Sequence, residues 1–289
     1  MLKTIDLTGK RNKNADCVML IGGFDGLHAG HKKLLARAKS FSLPVGIMTI
    51  VGGKGGKSLF TPSERRRIFK GAGIDFVFEL PFAEICDMTG EAFAGLLYKE
   101  FSPKAFICGD DFRFGKGALG TPQTLIHATH VSVEVEKLLL VDGEKVSSSK
   151  VKSLLSDGEI ERANALLAGE FFLDGEVIKD REVGRTMGFP TANILYPEEK
   201  YPLKKGVYET RVDVDGKTYK GITNYGARPT FHNDRVLTET YLDGFEGDLY
   251  GKTLTVRFVR FLREIERFAD ADALKAQLQE DIRRVRTND

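Results

Sequence analysis

Along the first half of the chain, short apolar runs alternate with segments whose apolar residues recur every three or four positions. Cys17–Ile21 is uninterrupted and apolar, Gly22-Gly23 follows, and in His31–Lys39 the residues Leu34, Leu35 and Ala38 fall on one helical face. Val45–Val51, Phe76–Leu80 and Ala105–Cys108 repeat the first pattern, and Glu64–Lys70 and Glu91–Tyr98 the second. Strands separated by helices predict an α/β unit with a parallel sheet covered on both faces. The second half switches to period two. In Val207–Val214, Tyr208, Thr210, Val212 and Val214 share one face, and Glu209, Arg211 and Asp213 the other. Asp215-Gly216 is a hairpin signal from which Lys217–Lys220 returns, and Leu237–Leu242 and Thr253–Phe261 are further strands. An all-β unit is expected, a small antiparallel barrel or sandwich with a C-terminal helix. That helix starts at an Asp270 N-cap and carries Leu274, Leu278, Ile282 and Val285 on one stripe. Between the halves, one short helix follows Ser147-Ser148-Ser149 and ends at Gly158. A second starts with Ser156 and Glu159 in capping-box spacing and stops at Gly169. The boundary is expected between Leu155 and Phe171.

At 289 residues the chain can build two modest cores, and its 42% hydrophobic and 29% charged content is ordinary for a globular protein. A net charge of +2 gives no argument for nucleic acid or an anionic membrane as partner. No apolar run approaches a bilayer span, and Met1–Lys13 is too polar for a signal peptide. The three cysteines, Cys17, Cys86 and Cys108, are widely spaced. They read as reduced, buried small hydrophobes of a cytoplasmic protein.

The first concentration of chemistry is Gly22-Gly23-Phe24-Asp25-Gly26-Leu27-His28-Ala29-Gly30-His31, between a strand and a helix. Glycines let the backbone approach a ligand, and the helix start offers unpaired N–H groups and a positive dipole end to a phosphate. Two imidazoles there can donate hydrogen bonds to phosphoryl oxygens as charge builds in transfer. The spacing is not that of a His-Glu-x-x-His zinc site, and no third ligand is evident. This segment resembles the HxGH signature of the nucleotidyltransferases, on a Rossmann-like sheet. More closely it resembles the first motif of the bacterial bifunctional riboflavin kinase/FAD synthetases. Gly109-Asp110-Asp111-Phe112-Arg113-Phe114-Gly115 is similar to that family's G-x-[DN]-F-x-F-G loop, and Val146–Lys152 to its ISSTRIR. The resemblance implies His28 and His31 as catalytic residues. It implies nucleotide-phosphate contacts for Gly22, Gly23, Phe24, Asp25, Gly30, Ser147, Ser148, Ser149, Lys150 and Lys152. It implies flavin contacts for Asp111, Phe112, Arg113 and Phe114. Lysines stand at both arginine positions of ISSTRIR, which keeps the charge and loses the bidentate fork.

One departure is larger. The family's F-x-P-H-P segment is replaced by Ile50-Val51-Gly52-Gly53-Lys54-Gly55-Gly56-Lys57-Ser58. A P-loop would need glycine at Val51. Two readings stay open: a glycine-rich spacer, or a lysine-bearing flap in which Lys54 or Lys57 substitutes for the absent histidine.

The second concentration is Gly184-Arg185-Thr186-Met187-Gly188-Phe189-Pro190-Thr191-Ala192-Asn193. Its glycines permit phosphate approach, and Thr191 and Asn193 are hard oxygen ligands suited to Mg²⁺. It resembles the GRTLGFPTANI signature of riboflavin kinases. Gly206-Val207-Tyr208, Asn224–Phe231, Glu239-Thr240, Asp248–Gly251 and Leu262-Arg263 match further family segments in order. The resemblance implies nucleotide contacts for Gly184, Arg185, Gly188, Pro190, Thr191 and Asn193, with Thr191 and Asn193 as metal ligands. It assigns Glu239, a carboxylate in an otherwise apolar and hydroxylic strand, as general base. Arg228 is read either as a phosphate clamp or as a surface ion pair.

The implied activity is ATP- and Mg²⁺-dependent phosphorylation of riboflavin to FMN, then adenylylation of FMN to FAD with release of pyrophosphate. The implied layout is an adenylyltransferase unit over residues 1–155, a linker helix over 156–170 and a kinase unit over 171–289. Two alternatives stay open: a riboflavin kinase with a weak or inactive adenylyltransferase unit, and a non-catalytic flavin-binding regulator.

Overall fold

The computed structural model describes residues 3–6, 16–52, 56–137, 139–141, 143–179, 189–227 and 236–287. The chain divides into two compact units, Met1–Lys150 and Val151–Asp289.

In the first unit, β1 (Lys3–Asp6), β2 (Val18–Leu20), β3 (Val45–Val51), β4 (Phe76–Pro81), β5 (Ala105–Gly109) and β6 (Ser132–Glu136) form one sheet in the order β1-β4-β3-β2-β5-β6. Every pairing is parallel. The connections are α1 (Ala29–Lys39), α2 (Pro62–Gly71), α3 (Phe82–Ile85), α4 (Gly90–Phe101) and α5 (Pro122–Thr129). A short hairpin of β7 (Leu140–Val141) and β8 (Glu144–Lys145) precedes α6 (Ser148–Asp157). The uninterrupted apolar runs are the inner strands, because helices cover both faces of the sheet. Met19, Phe78 and Phe106 from the strands pack with Phe93, Leu97 and Phe101 of α4 in one core. β6 escaped the periodicity reading because it is an edge strand, where Ser132, Glu134 and Glu136 alternate with valines. Helix α2 begins before its apolar pattern, at a closed capping box. The Glu64 N–H donates to Thr61 Oγ1 at 3.3 Å, and the Thr61 N–H donates to Glu64 Oε2 at 2.8 Å.

In the second unit, α7 (Ile160–Leu166) leads into β9 (Phe172–Ile178), β10 (Thr191–Leu195), β11 (Gly206–Val214), β12 (Lys217–Ala227), β13 (Val236–Leu242) and β14 (Thr253–Arg263). These close into an antiparallel barrel in the order β10-β13-β12-β11-β14-β9, so the all-β unit is a barrel and not a sandwich. The face bearing Tyr208, Thr210, Val212 and Val214 is buried. The hydroxyls of Thr210, Thr223 and Thr240 bond one another in series at 2.9 Å, which satisfies polar atoms inside the barrel. Asp215 and Gly216 both take positive φ, 50° and 83°, as a tight hairpin turn demands. The C-terminal helix α8 (Ala271–Thr287) starts at Asp270, whose Oδ1 accepts from the Ala273 N–H at 2.8 Å. Arg263 and the fully buried Asp281 form an ion pair at 2.8 Å that ties α8 to β14.

Two expectations are corrected. Ser156 does not cap the second connecting helix: it lies inside α6, its Oγ is 3.0 Å from the Tyr201 hydroxyl, and α7 starts at Glu159 without a side-chain cap. Gly158, at φ 81°, ends α6 so close to α7 that no residue is left for a capping turn. Second, Cys86 is only half-buried, unlike Cys17 and Cys108, whose thiols burial pushes up to about 12.

Candidate functional site

In the first unit the chain runs from β2 through β3 to β4 on one side, and to β5 and β6 on the other. The strand order therefore reverses at β2, where open parallel sheets place their ligands at the carboxyl ends of the strands. A cavity of about 830 Å³ sits there, lined by the turns after β2 and β5 and by the segment leading into α6. It contains Gly22, Gly23, Phe24, Asp25, His28, Gly30, His31, Asp111, Phe112, Arg113, Phe114, Ser147 and Ser148, which brings three separate motifs to one place.

His28 is the N-cap of α1, and the His28 and His31 rings stack with centroids 3.5 Å apart. The His28 N–H donates to His31 Nδ1 at 3.4 Å. Gly30 leaves room between them, since a Cβ there would sit a tight 3.2 Å from the His28 ring. Burial pushes the His28 pKa down to about 4, with the Lys145 ammonium adding to the effect and Asp111 opposing it. Burial, and then His28 itself, hold His31 well below the usual histidine range. Both imidazoles are therefore neutral at pH 7. His28 Nδ1 is buried with no hydrogen-bond partner among the described residues. Phe24, at the centre of the glycine turn, takes φ 37° and lies 4.6 Å from the His31 ring.

The opposite wall is apolar and aromatic. Phe112 and Phe114 stack at 5.3 Å, Phe93 lies 5.4 Å from Phe114, and Cys86 lines the same cavity. Asp111 is ion-paired to Lys145, and Arg113 Nη1 donates to the Phe112 carbonyl. Asp25 holds backbone: its Oδ1 accepts from the Leu59 N–H at 2.9 Å. Ser149 and Lys150 are not in the cavity wall, and Lys150 pairs with Glu144 at 2.5 Å. Lys152 lies over the Tyr201 ring at 5.6 Å. Of the glycine–lysine segment, Lys57 is exposed and Lys54 lies outside the described residues.

In the second unit a cavity of about 600 Å³ is lined by Pro190, Thr191 and Asn193 and by the turn Asp248–Tyr250. Gly184, Arg185, Gly188 and Arg228 lie outside the described residues. Strand register sets Asn193 opposite Glu239, and Glu239 opposite Asn224. The three side chains therefore stand abreast on one face of β10, β13 and β12. The opposite face carries the fully buried Thr238 and Thr240, so the row is on the outside of the barrel. Two residues along that face, Ile222 and Tyr241 pack with Ile282 and Val285 of α8. Asn193 is 5% exposed, and its Oδ1 and that of Asn224 are buried without hydrogen-bond partners among the described residues. The motif reading matches Asn224 to a family segment but gives it no role. Its signal lies in the pairing of β12 with β13, which spacing along the chain does not reveal.

Comparison with known proteins follows the same division. Residues 10–150 match the family described as FAD synthetase, and residues 167–288 the family described as Riboflavin kinase. Proteins named bifunctional riboflavin kinase/FMN adenylyltransferase are similar over nearly the whole chain. That of Pseudomonas fluorescens is 32% identical over 94% of this chain and 93% of its own. That of Bacillus subtilis is 31% identical over 97% and 96%. That of Escherichia coli K12 is 33% identical over 92% and 90%. A crystal structure titled as a macrolide-efflux protein from Streptococcus pneumoniae superimposes with a TM-score of 0.88, at 26% identity over 98% of both chains. No described helix of the present chain is long and apolar enough to cross a membrane.

Proposed function

The chain belongs to the bifunctional riboflavin kinase/FMN adenylyltransferase family, and from that premise we propose which of its residues phosphorylate riboflavin to FMN and which adenylylate FMN to FAD. ATP is the donor in both steps. The observation that carries the assignment is that each unit holds its own cavity, each lined by residues of one motif set.

In the barrel, Glu239 accepts the proton of the ribityl 5′-hydroxyl as that oxygen attacks the γ-phosphorus, and ADP leaves. Asn193 joins the nucleotide cavity to the base, because it lines the first and stands opposite the second. Mg²⁺ fits here, since Asn193 Oδ1 is a buried oxygen without a partner among the described residues and Thr191 shares its strand face. Thr191 and Asn193 would hold the ion with the nucleotide phosphates, and when bound it neutralises charge on the transferred group.

In the parallel-sheet unit, an FMN phosphate oxygen attacks the α-phosphorus of ATP and pyrophosphate leaves. Gly22, Gly23 and the start of α1 receive the phosphates on backbone N–H groups. His28, with its unpartnered ring nitrogen, bonds a phosphoryl oxygen, and His31 fixes the His28 backbone and stacks beneath its ring. The Phe112 and Phe114 wall takes the flavin ring. The three free thiols suit a reducing, cytoplasmic setting. Incubation with riboflavin, ATP and Mg²⁺ followed by flavin chromatography tests the reading. FAD is expected, and FMN alone or unchanged riboflavin would reject it.

A further inference from the structure

Behind the phosphate cradle, outside the cavity wall, sits a buried guanidinium that the two reactions do not use. Arg65 of α2 is 3% exposed. Its Nη1 donates to Thr49 Oγ1 at 2.9 Å and to the Ile50 carbonyl at 3.0 Å, both at the end of β3. The Thr49 hydroxyl, 1% exposed, spends its own proton on the Phe24 carbonyl at 3.3 Å. Phe24 is the strained residue of the cradle, at φ 37° between Gly23 and Asp25. A non-glycine residue in that region is strained and persists only where its surroundings over-determine it.

We propose that Arg65 and Thr49 form a positioning relay that holds the Phe24 peptide in its left-handed turn and so sets the Gly22–Asp25 cradle for the nucleotide phosphates. The relay is ordered by chemistry. A guanidinium can only donate, so the Thr49 hydroxyl must accept from it, and its single proton is left for the Phe24 carbonyl. Donation by a cation polarises that hydroxyl and strengthens the second bond. The same guanidinium fixes the Ile50 carbonyl, where the chain departs from the family pattern. The start of the glycine–lysine segment and the cradle therefore share one anchor. The capping box of Thr61 and Glu64 fixes the first turn of α2, from which Arg65 extends. The inference deepens the adenylyltransferase reading and rests on it.

The test is steady-state kinetics of each half-reaction in the full-length protein. Thr49→Val keeps the side-chain shape and deletes only the hydroxyl. It should lower kcat/KM for FMN adenylylation by roughly tenfold, mostly through KM for ATP, and leave riboflavin phosphorylation unchanged. Thr49→Ser, which keeps the hydroxyl, should restore most of the loss. Arg65→Met should show the same defect, and Thr49→Val/Arg65→Met no more than the larger single effect, because members of one relay are not additive. If Arg65→Met fails to fold, the Thr49 pair alone decides. Wild-type adenylylation by Thr49→Val, an equal loss in Thr49→Ser, or parallel loss of the kinase step would overturn the relay. His28→Ala/His31→Ala separates the two levels: FAD made by that variant removes the cradle from the chemistry. A dead histidine variant beside a normal Thr49→Val removes the relay only.

Discussion

The neutral histidine pair yields a prediction whose size follows from the structure. His28 has a pKa of about 4 in the folded chain against an ordinary value of 6.5. A folded pKa below the unfolded one means that the native state prefers the neutral ring. Its stabilising effect is complete above pH 6.5 and is lost as the pH falls towards 4, because the unfolded chain takes up a proton that the folded chain refuses. At pH 5 this amounts to about 2 kcal/mol from His28 alone. The direct assay is NMR of ring-labelled histidine between pH 8 and 5, with the His28 signal assigned by its loss in His28→Gln. No midpoint for His28 is expected in that range. Lys145→Met should raise its pKa and Asp111→Asn should lower it, since these charges act on the ring in those opposite senses. ATP should move the midpoint upwards, because an anion beside the ring favours its protonated form. A His28 that titrates at or above 6.5 without nucleotide would refute the description of a desolvated, neutral pair.

Further outcomes follow from the division of labour. Glu239→Gln should cut riboflavin phosphorylation by roughly 10²–10⁴-fold while supplied FMN is still adenylylated, and near-normal FMN production would remove Glu239 as base. A fragment of residues 151–289 should melt roughly 10 °C or more above one of residues 171–289. The shorter piece loses the buried Ile160, Ala163 and Leu167 and both bonds of Asn164, to the Phe258 carbonyl and from the Phe171 N–H. Equal melting temperatures would make α7 a mere connector. Lys54→Ala/Lys57→Ala should raise KM for ATP in the adenylyl step only, and an unchanged KM would make the segment a spacer.

How much of this was legible in sequence depends on how local each signal is. The inner strands β2, β3 and β5 announce themselves because both faces are buried, so that each reads as an apolar run. The edge strand β6 carries glutamates on alternate positions, and charge masks its apolar face. The hairpin of β11 and β12 was visible because Asp215-Gly216 is a turn by its own backbone preference. The helix expected as a linker carries contacts of the opposite, long-range kind. Asn164 looks like any polar helix residue, yet it bonds backbone of both β14 and the entry to β9, and no spacing rule marks a partner 94 residues away.

The sites divide along the same line. His28 and His31 are three residues apart, so one helix start suffices to stack them, and the motif contains its own geometry. The row Asn193, Glu239 and Asn224 is assembled by register, because β13 pairs with β10 on one side and β12 on the other. Glu239 is assigned as base through the family resemblance, since an acidic residue in a strand reads by itself as solvent-facing. Asn224 falls in a matched segment but has no role there, and only the fold shows that its oxygen is buried and without a partner among the described residues. Arg65 lies further still from what a pattern can show. Ser63-Glu64-Arg65-Arg66-Arg67 sets three arginines in succession on one helix. The fold sends Arg66 to Glu79 at 2.8 Å and buries Arg65 against Thr49, while Arg67 stays exposed. Three identical side chains thus acquire different environments from the 100° that separates successive residues on a helix. A phosphate cradle is recognisable by its glycines and histidines, but the groups that hold it in shape come from wherever the sheet brings a donor within reach.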